Sequence, residues 1–256
     1  MKRRIVWLCL LVFCSVALER SSASQANSIA ILGGTLIDGT GAPRRMADVR
    51  IVGDQIREVG KLKPLAGERV IDAKGMIVAP GFIDVHNHSE RGFASDPNAK
   101  SQILQGITTL AVGPDGGSPF PISDYLAWME KQRPAVNVMA FVGHATVRQR
   151  VMGDDFKRAA TASEIAKMAE LVEQAMREGA VGLSTGLEYD IGNPATTEEV
   201  ITLSKVAARH GGIYMSHVRD EAEHQIKDKY RDGVADAHAV AIIAQDDTIN
   251  KVPDDA

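Results

Sequence analysis

From residue 81 onward the chain alternates short apolar runs with amphipathic segments of helical length, and this alternation limits the fold more than any other feature of the sequence. Phe82 to His88, Ile107 to Val112, Val136 to Val142, Ala180 to Leu183 and Ile213 to His217 read as strands. Two of the intervening helices carry start and stop signals. Thr161 with Glu164 makes a capping-box pattern ahead of Ile165, Met168, Val172 and Met176, with Gly179 as the stop. Thr196 with Glu199 repeats it ahead of Val200, Leu203, Val206 and Ala207, and Gly211-Gly212 ends that segment. Strand, helix, strand in repetition dictates parallel pairing with right-handed crossovers, in a (β/α) barrel or an open doubly wound sheet. The five units before Arg219 are fewer than a closed barrel needs.

The flanking segments read differently. Between Ile29 and Ala79, β-type runs such as Ile29 to Leu32, Val49 to Val52, Ile56 to Val59 and Met76 to Val78 are broken by Gly33-Gly34, Asp38-Gly39, Gly53-Asp54 and Pro80-Gly81, the pattern of a small β unit. Beyond Glu223 the text is polar and irregular, and only Ala239 to Ala244 reads as a sixth strand. At the other end, Lys2, Arg3 and Arg4 precede an apolar run from Ile5 to Leu18 and small residues from Ser21 to Ala26, the arrangement of a secretory signal peptide. The run is too short for a stable membrane span. The expected organisation is a signal peptide over residues 1–26, a β-sandwich segment over 27–80, five β/α units over 81–223 and a divergent tail over 224–256.

Composition narrows the chemistry. Lys plus Arg is 29 against 33 Asp plus Glu, and removal of residues 1–26 leaves 25 against 32, so the exported protein carries a charge of -7. No basic excess points to nucleic acid. Both cysteines, Cys9 and Cys14, lie in the leader, so the mature chain has no disulfide, no thiol nucleophile and no cysteine metal ligand.

The candidate site residues stand at the ends of predicted strands, where parallel α/β folds build their sites. In Phe82-Ile83-Asp84-Val85-His86-Asn87-His88, strand alternation turns Asp84, His86 and His88 to one face, and two imidazoles so placed can bind a divalent cation. A bare His-x-His is equally compatible with two hydrogen-bonded surface histidines. His217 ends Ile213-Tyr214-Met215-Ser216 and is the best third imidazole, while His144 after Phe141-Val142-Gly143 suits a ligand, a substrate contact or a packed hydrogen-bonding residue. Asp115 in Gly113-Pro114-Asp115-Gly116-Gly117 and Glu188 in Ser184-Thr185-Gly186-Leu187-Glu188 offer the oxygen ligands that complement histidine at zinc; as plain alternatives, one is a turn residue and the other a solvated loop charge. Neither a Walker pattern nor a GxGxxG fingerprint is present.

Taken in order, Ala79-Pro80-Gly81-Phe82-Ile83-Asp84-Val85-His86-Asn87-His88, Gln105-Gly106-Ile107-Thr108-Thr109, Phe141 to Arg148, Gly182 to Tyr189 and Tyr214 to Glu221 resemble the amidohydrolase superfamily, in its N-acyl-D-amino-acid deacylase branch. The resemblance runs over about residues 29 to 223. It implies an α/β fold, here a partial TIM-like (β/α) barrel preceded by a small β-sandwich segment. It also implies a hydrolase that cleaves a linear amide of a small acylated amino acid with metal-activated water. Carried over residue by residue, His86 and His88 match the first-strand metal pair and His217 the fifth-strand ligand, with Tyr189 and Arg219 as substrate contacts; His144 is a further candidate contact, for which the packed hydrogen-bonding reading is favoured.

Where relatives place a metal-binding cysteine after the second strand, this chain has Asp115; by analogy with the fourth-strand acid of other amidohydrolases, Glu188 is the preferred bridging ligand and Asp115 the second choice. The metal set is therefore His86, His88, Glu188, His217 and Asp115, holding one or two ions. Zinc suits these donors best, and manganese, iron and cobalt are also admitted. The sixth-strand histidine and the catalytic late-strand aspartate of the family have no match, so no general base is assigned and C-terminal truncation is expected. Two alternatives stand beside deacylation: a non-catalytic fragment, and an amidohydrolase acting on a cyclic amide or dipeptide. Open strand edges in a partial barrel also invite pairing with another copy, so a homo-oligomer is admitted.

Overall fold

The computed structural model describes residues 28–219 and, for the backbone, His238–Ala241. The expected signal peptide and all of the tail except His238–Ala241 lie outside the described residues. The chain divides between Pro80 and Gly81 into two compact units.

The first unit is built from two small sheets. One pairs β1 (Ser28–Leu32), β4 (Asp48–Val52), β5 (Gln55–Gly60) and β6 (Arg69–Asp72) in the order β5-β4-β1-β6; the other pairs β2 (Thr35–Leu36), β3 (Arg45–Met46) and β7 (Ile77–Val78) in the order β3-β2-β7. Leu36, Ala47 and Val49 form its buried apolar cluster, joined by Ile31, Ile51 and Val78. So small a core is supplemented by charge. The buried Arg50 guanidinium donates to Glu68 Oε1 at 2.7 Å and to Glu58 Oε1 at 2.8 Å, and Ser28 donates to the same Glu68 oxygen at 2.5 Å. The hydrogen bonds from Arg50, Ser28 and the Leu65 backbone hold the Glu68 carboxyl down at about 2.

In the second unit the strands are β8 (Phe82–Asn87), β9 (Ile107–Val112), β10 (Asn137–Ala140), β11 (Val142–Gly143), β12 (Gly182–Gly186) and β13 (Ile213–His217). The helices are α1 (Lys100–Ile103), α2 (Ile122–Gln132), α3 (His144–Met152), α4 (Ala162–Arg177) and α5 (Thr197–Arg209). Strand β8 pairs with β9, β9 with β10, β11 with β12 and β12 with β13, every pair parallel. The expected strand Val136 to Val142 is split at Phe141, because its first half pairs with β9 and its second with β12. A bond from Val181 N to Ala140 O at 2.9 Å joins the two parts. The result is a wall of successive parallel strands with helices on one side, a partial (β/α) barrel.

The wall is apolar on both faces, as parallel sheets are. Leu110, Val112, Ala140, Val142 and Leu183 pack against the helices, while Ala111, Phe141 and Met215, one residue out of phase, cluster on the other side. Helix α4 supplies Met168, Val172, Ala175 and Met176, and each large side chain contributes roughly 1.5–3 kcal/mol by leaving water. Its capping box is complete, with Thr161 Oγ1 accepting from Glu164 N and Glu164 accepting from Thr161 N. At α5 only half of the expected box forms: Thr196 caps Glu199 N, but the Glu199 side chain turns into the protein interior.

At the other end, β14 (His238–Ala241) lies antiparallel to β13, with His217 opposite His238. It is therefore not the parallel strand that a further β/α unit would add. Strand β8 has β9 as its one neighbour among the described residues, which leaves Phe82, Ile83 and Val85 exposed. Among the described residues, no helix is long and apolar enough to cross a membrane.

Candidate metal centre

The ends of three strands, two of them adjacent, bring the site together. His86 and His88 come from the end of β8, Asp115 from the loop after β9 and His217 from the end of β13. Strict alternation along β8 does not survive to its end: the register passes from Asp84 opposite Leu110 to Asn87 opposite Val112, so one extra residue is inserted. Such a bulge re-aims side chains. Asp84 turns back to accept from His86 N at 3.2 Å and from Asn87 Nδ2 at 2.8 Å, outside the cluster. The His86 and His88 rings stand edge to face, 5.3 Å apart.

Asp115 is held in a strained loop. Its φ of 57° is left-handed, a conformation that aspartate tolerates better than most residues. Ser184 from β12 fixes the loop on both sides of it, donating to Gly113 O at 2.6 Å and accepting from Gly116 N at 3.2 Å. The loop backbone lies directly on the end of β12: a Cβ at Gly186 would sit 2.1 Å from the Asp115 carbonyl oxygen. Glu90 completes the support by accepting from Gly113 N at 2.8 Å.

The carboxylate so placed faces three imidazoles. Asp115 Oδ2 lies 3.2 Å from His86 Nε2 and 3.2 Å from His88 Nε2, and Oδ1 lies 3.7 Å from His217 Nδ1. One ligand atom each from His86, His88 and Asp115 falls within 4.8 Å of the others. Ligands on a tetrahedral zinc stand about 3.4 Å apart, so the spacing suits a divalent ion. Asp115 Oδ1 is buried and accepts no hydrogen bond, as expected of an oxygen reserved for a cation. Nitrogen and oxygen donors with one carboxylate are a suitable set for zinc.

The other candidates take different places. Glu188, half exposed, accepts from His217 Nε2 at 2.7 Å and so sits on the far side of that ring from Asp115. Tyr189 Oη lies 3.2 Å from His217 Nδ1. Arg219 is turned to backbone carbonyls, donating to Asn193 O and, at 2.9 Å, to Ala195 O. His144 is fully buried and bonded to Glu199 Oε1 at 2.9 Å, away from the cluster. Arg148 donates to both Glu199 oxygens at 2.6 Å, which makes a buried His144–Glu199–Arg148 network behind the wall. Burial alone would raise the Glu199 carboxyl, but the hydrogen bonds from His144 and Arg148 outweigh it and hold the group below its usual range. Sequence reasoning missed Ser184 and Glu90 as supports of the Asp115 loop. Glu90 had a signal, two residues beyond His88.

Comparison with known proteins places this geometry. The amidohydrolase family matches residues 69–244. The D-aminoacylase of Alcaligenes xylosoxydans xylosoxydans is 40% identical over 226 residues, covering 79% of this chain and 46% of that protein. The crystal structure of N-acyl-D-glutamate deacylase from Bordetella bronchiseptica, complexed with zinc and a phosphonate inhibitor, has a TM-score of 0.71 at 39% identity, covering 76% of this chain and 46% of the other. A D-aminoacylase structure determined to study its binuclear metal centre has a TM-score of 0.70 at 38% identity, covering 78% and 47%. The chain thus spans about half the length of these relatives. With the family matching over most of its length and histidines and a carboxylate gathered at the strand ends, the chain belongs to the amidohydrolase family.

Proposed function

We propose that the protein hydrolyses the amide bond of N-acyl-D-amino acids, with zinc held by His86, His88, Asp115 and His217. The observation that carries this reading is the Asp115 carboxylate, with Oδ2 toward the His86 and His88 pair and Oδ1 toward His217, so that these four residues would together hold the metal. The relatives include deacylases of N-acyl-D-glutamate and N-acyl-D-aspartate, which supports the substrate class. When bound, the ion polarises the amide carbonyl and lowers the pKa of water enough to make it a nucleophile near neutral pH.

The chain's own groups prepare that chemistry. Glu188 Oε2 accepts the proton of His217 Nε2, which fixes the tautomer and leaves the Nδ1 lone pair toward Asp115. Tyr189 Oη donates to the same Nδ1 at 3.2 Å, which places a phenol beside the metal-binding residues. Ser184 and Glu90 hold the Asp115 loop rigid, which reduces the reorganisation needed on binding. The basic n-region and apolar run of residues 1–26 support export, and with it a reaction outside the cytoplasm.

The test is elemental analysis of the purified chain beside a His86→Ala/His88→Ala variant, followed by incubation with N-acetyl-D-amino acids. Near-stoichiometric zinc that the variant loses, together with release of free D-amino acid, is the expected result. A folded chain that retains no metal and releases no product overturns the proposal.

A further inference from the structure

A cleft of about 750 Å³ opens beside the ligand cluster, with His88 in its wall. The remaining wall includes Ala94, Pro119, Tyr125 and Trp128, with Arg91 as the cation at its edge. The tyrosine and the carboxylate nearby are already committed. Tyr125 Oη donates to Glu90 O at 3.4 Å, and Glu90 Oε1 is taken by Gly113 N. Burial first, and the Glu90 charge second, push the Tyr125 phenol above its ordinary value, so it stays a neutral donor. Arg91 differs: its side chain is exposed and makes no hydrogen bond or ion pair among the described residues.

We propose that this cleft is a subsite for one arm of the substrate, an apolar arm that ends in a carboxylate held by Arg91. The inference rests on the deacylase reading, which puts the scissile amide at His86, His88 and Asp115 and so points one arm past His88. The size of the cleft is that of pockets that take ligands well beyond an acetyl group. Its chemistry matches such an arm, since Trp128, Pro119 and Ala94 offer apolar surface and a guanidinium binds carboxylate through paired hydrogen bonds. Either half of an acylated amino acid can supply the arm, the acyl chain or the amino-acid side chain.

Trp128 reports occupancy directly, because Trp7 is the other tryptophan of the chain and is removed by Trp7→Phe. Fluorescence titrations of the Trp7→Phe chain, with and without zinc and read before turnover, compare N-adipoyl-D-alanine with its terminal amide. A second pair compares N-acetyl-D-glutamate with N-acetyl-D-glutamine. The expected result is quenching of Trp128 with about tenfold or greater preference for the acid in one pair, abolished by Arg91→Gln. Preference in the adipoyl pair assigns the arm to the acyl chain, and preference in the glutamate pair to the side chain. Equal binding of acid and amide in both pairs, or a preference that survives Arg91→Gln, overturns the subsite. Failure of the deacylase reading is seen separately, as absence of zinc uptake and of product. Arg91 is exposed at the start of a short 3-10 turn (Gly92–Ala94), so its replacement does not threaten the fold.

Discussion

Replacement of Glu199 by Gln tests whether the network behind the barrel wall is a mainstay of the second unit. Glu199, His144 and Arg148 are all fully buried, and Arg148 Nη1 bonds both carboxylate oxygens at 2.6 Å. Glu199→Gln keeps the shape but removes the charge and replaces one acceptor with a donor facing the guanidinium. Arg148 then keeps one side-chain acceptor beside the backbone carbonyls of Phe156 and Arg158. Breaking a buried pair from one side costs roughly 3–5 kcal/mol, and because Gln retains one acceptor the expected loss is about 3 kcal/mol. Urea unfolding followed through Trp128 in a Trp7→Phe background reads this as a lower midpoint at unchanged slope. The pH dependence carries a sign. Glu199 has a depressed folded pKa, so its stabilisation is full above its unfolded value and is lost as pH falls through the folded one; Glu199→Gln removes that acid-side contribution. The Arg148→Met/Glu199→Leu pair removes both charges but leaves the buried His144 Nε2 without its acceptor, so it should recover only part of the loss. A shift below about 1 kcal/mol for Glu199→Gln refutes the reasoning.

Two further substitutions probe the supports. Gly186→Ala puts a Cβ where the Asp115 carbonyl oxygen lies 2.1 Å away; it should cost about 1–3 kcal/mol by overpacking and weaken zinc retention, although Gly186 contributes no ligand. Zinc retention equal to the parent chain would show that the loop position does not matter. Thr161→Ala removes the completed capping box of α4 and should cost about 1 kcal/mol in urea unfolding, with zinc binding unaffected.

The parallel strands and both amphipathic helices were legible because their signals are local: period-two apolar runs, cap residues and glycine stops. His86, His88 and His217 stood out for the same reason, as imidazoles at strand ends. What was not legible depends on contacts distant in sequence. Glu199 has the sequence context of a capping box, yet His144 and Arg148, more than fifty positions earlier, compete for its carboxylate and win it. Asp84 fits the ligand face by strand alternation, but the bulge before Asn87 breaks that period. The disposition of Asp115 depends on Ser184, a small polar residue whose role appears only when β12 is placed behind the β9 loop.

Asp115 stands where resemblance places a cysteine in relatives, and the exchange has a chemical consequence. A thiolate is soft and favours zinc, whereas a carboxylate is hard and narrows the advantage of zinc over manganese. The carboxylate also presents two separate oxygens, and here Oδ2 faces His86 and His88 while Oδ1 faces His217. A single sulfur has no such division. Asp115→Cys should therefore raise the ratio of zinc to manganese affinity by tenfold or more, read by competition of the two ions for the purified chain. The backbone at this position is left-handed, so a parallel Asp115→Asn variant, which suits that conformation, separates backbone strain from ligand chemistry. An unchanged zinc-to-manganese ratio in Asp115→Cys, with zinc retained in full by Asp115→Asn, would remove Asp115 from the ligand set and return Glu188 to first place.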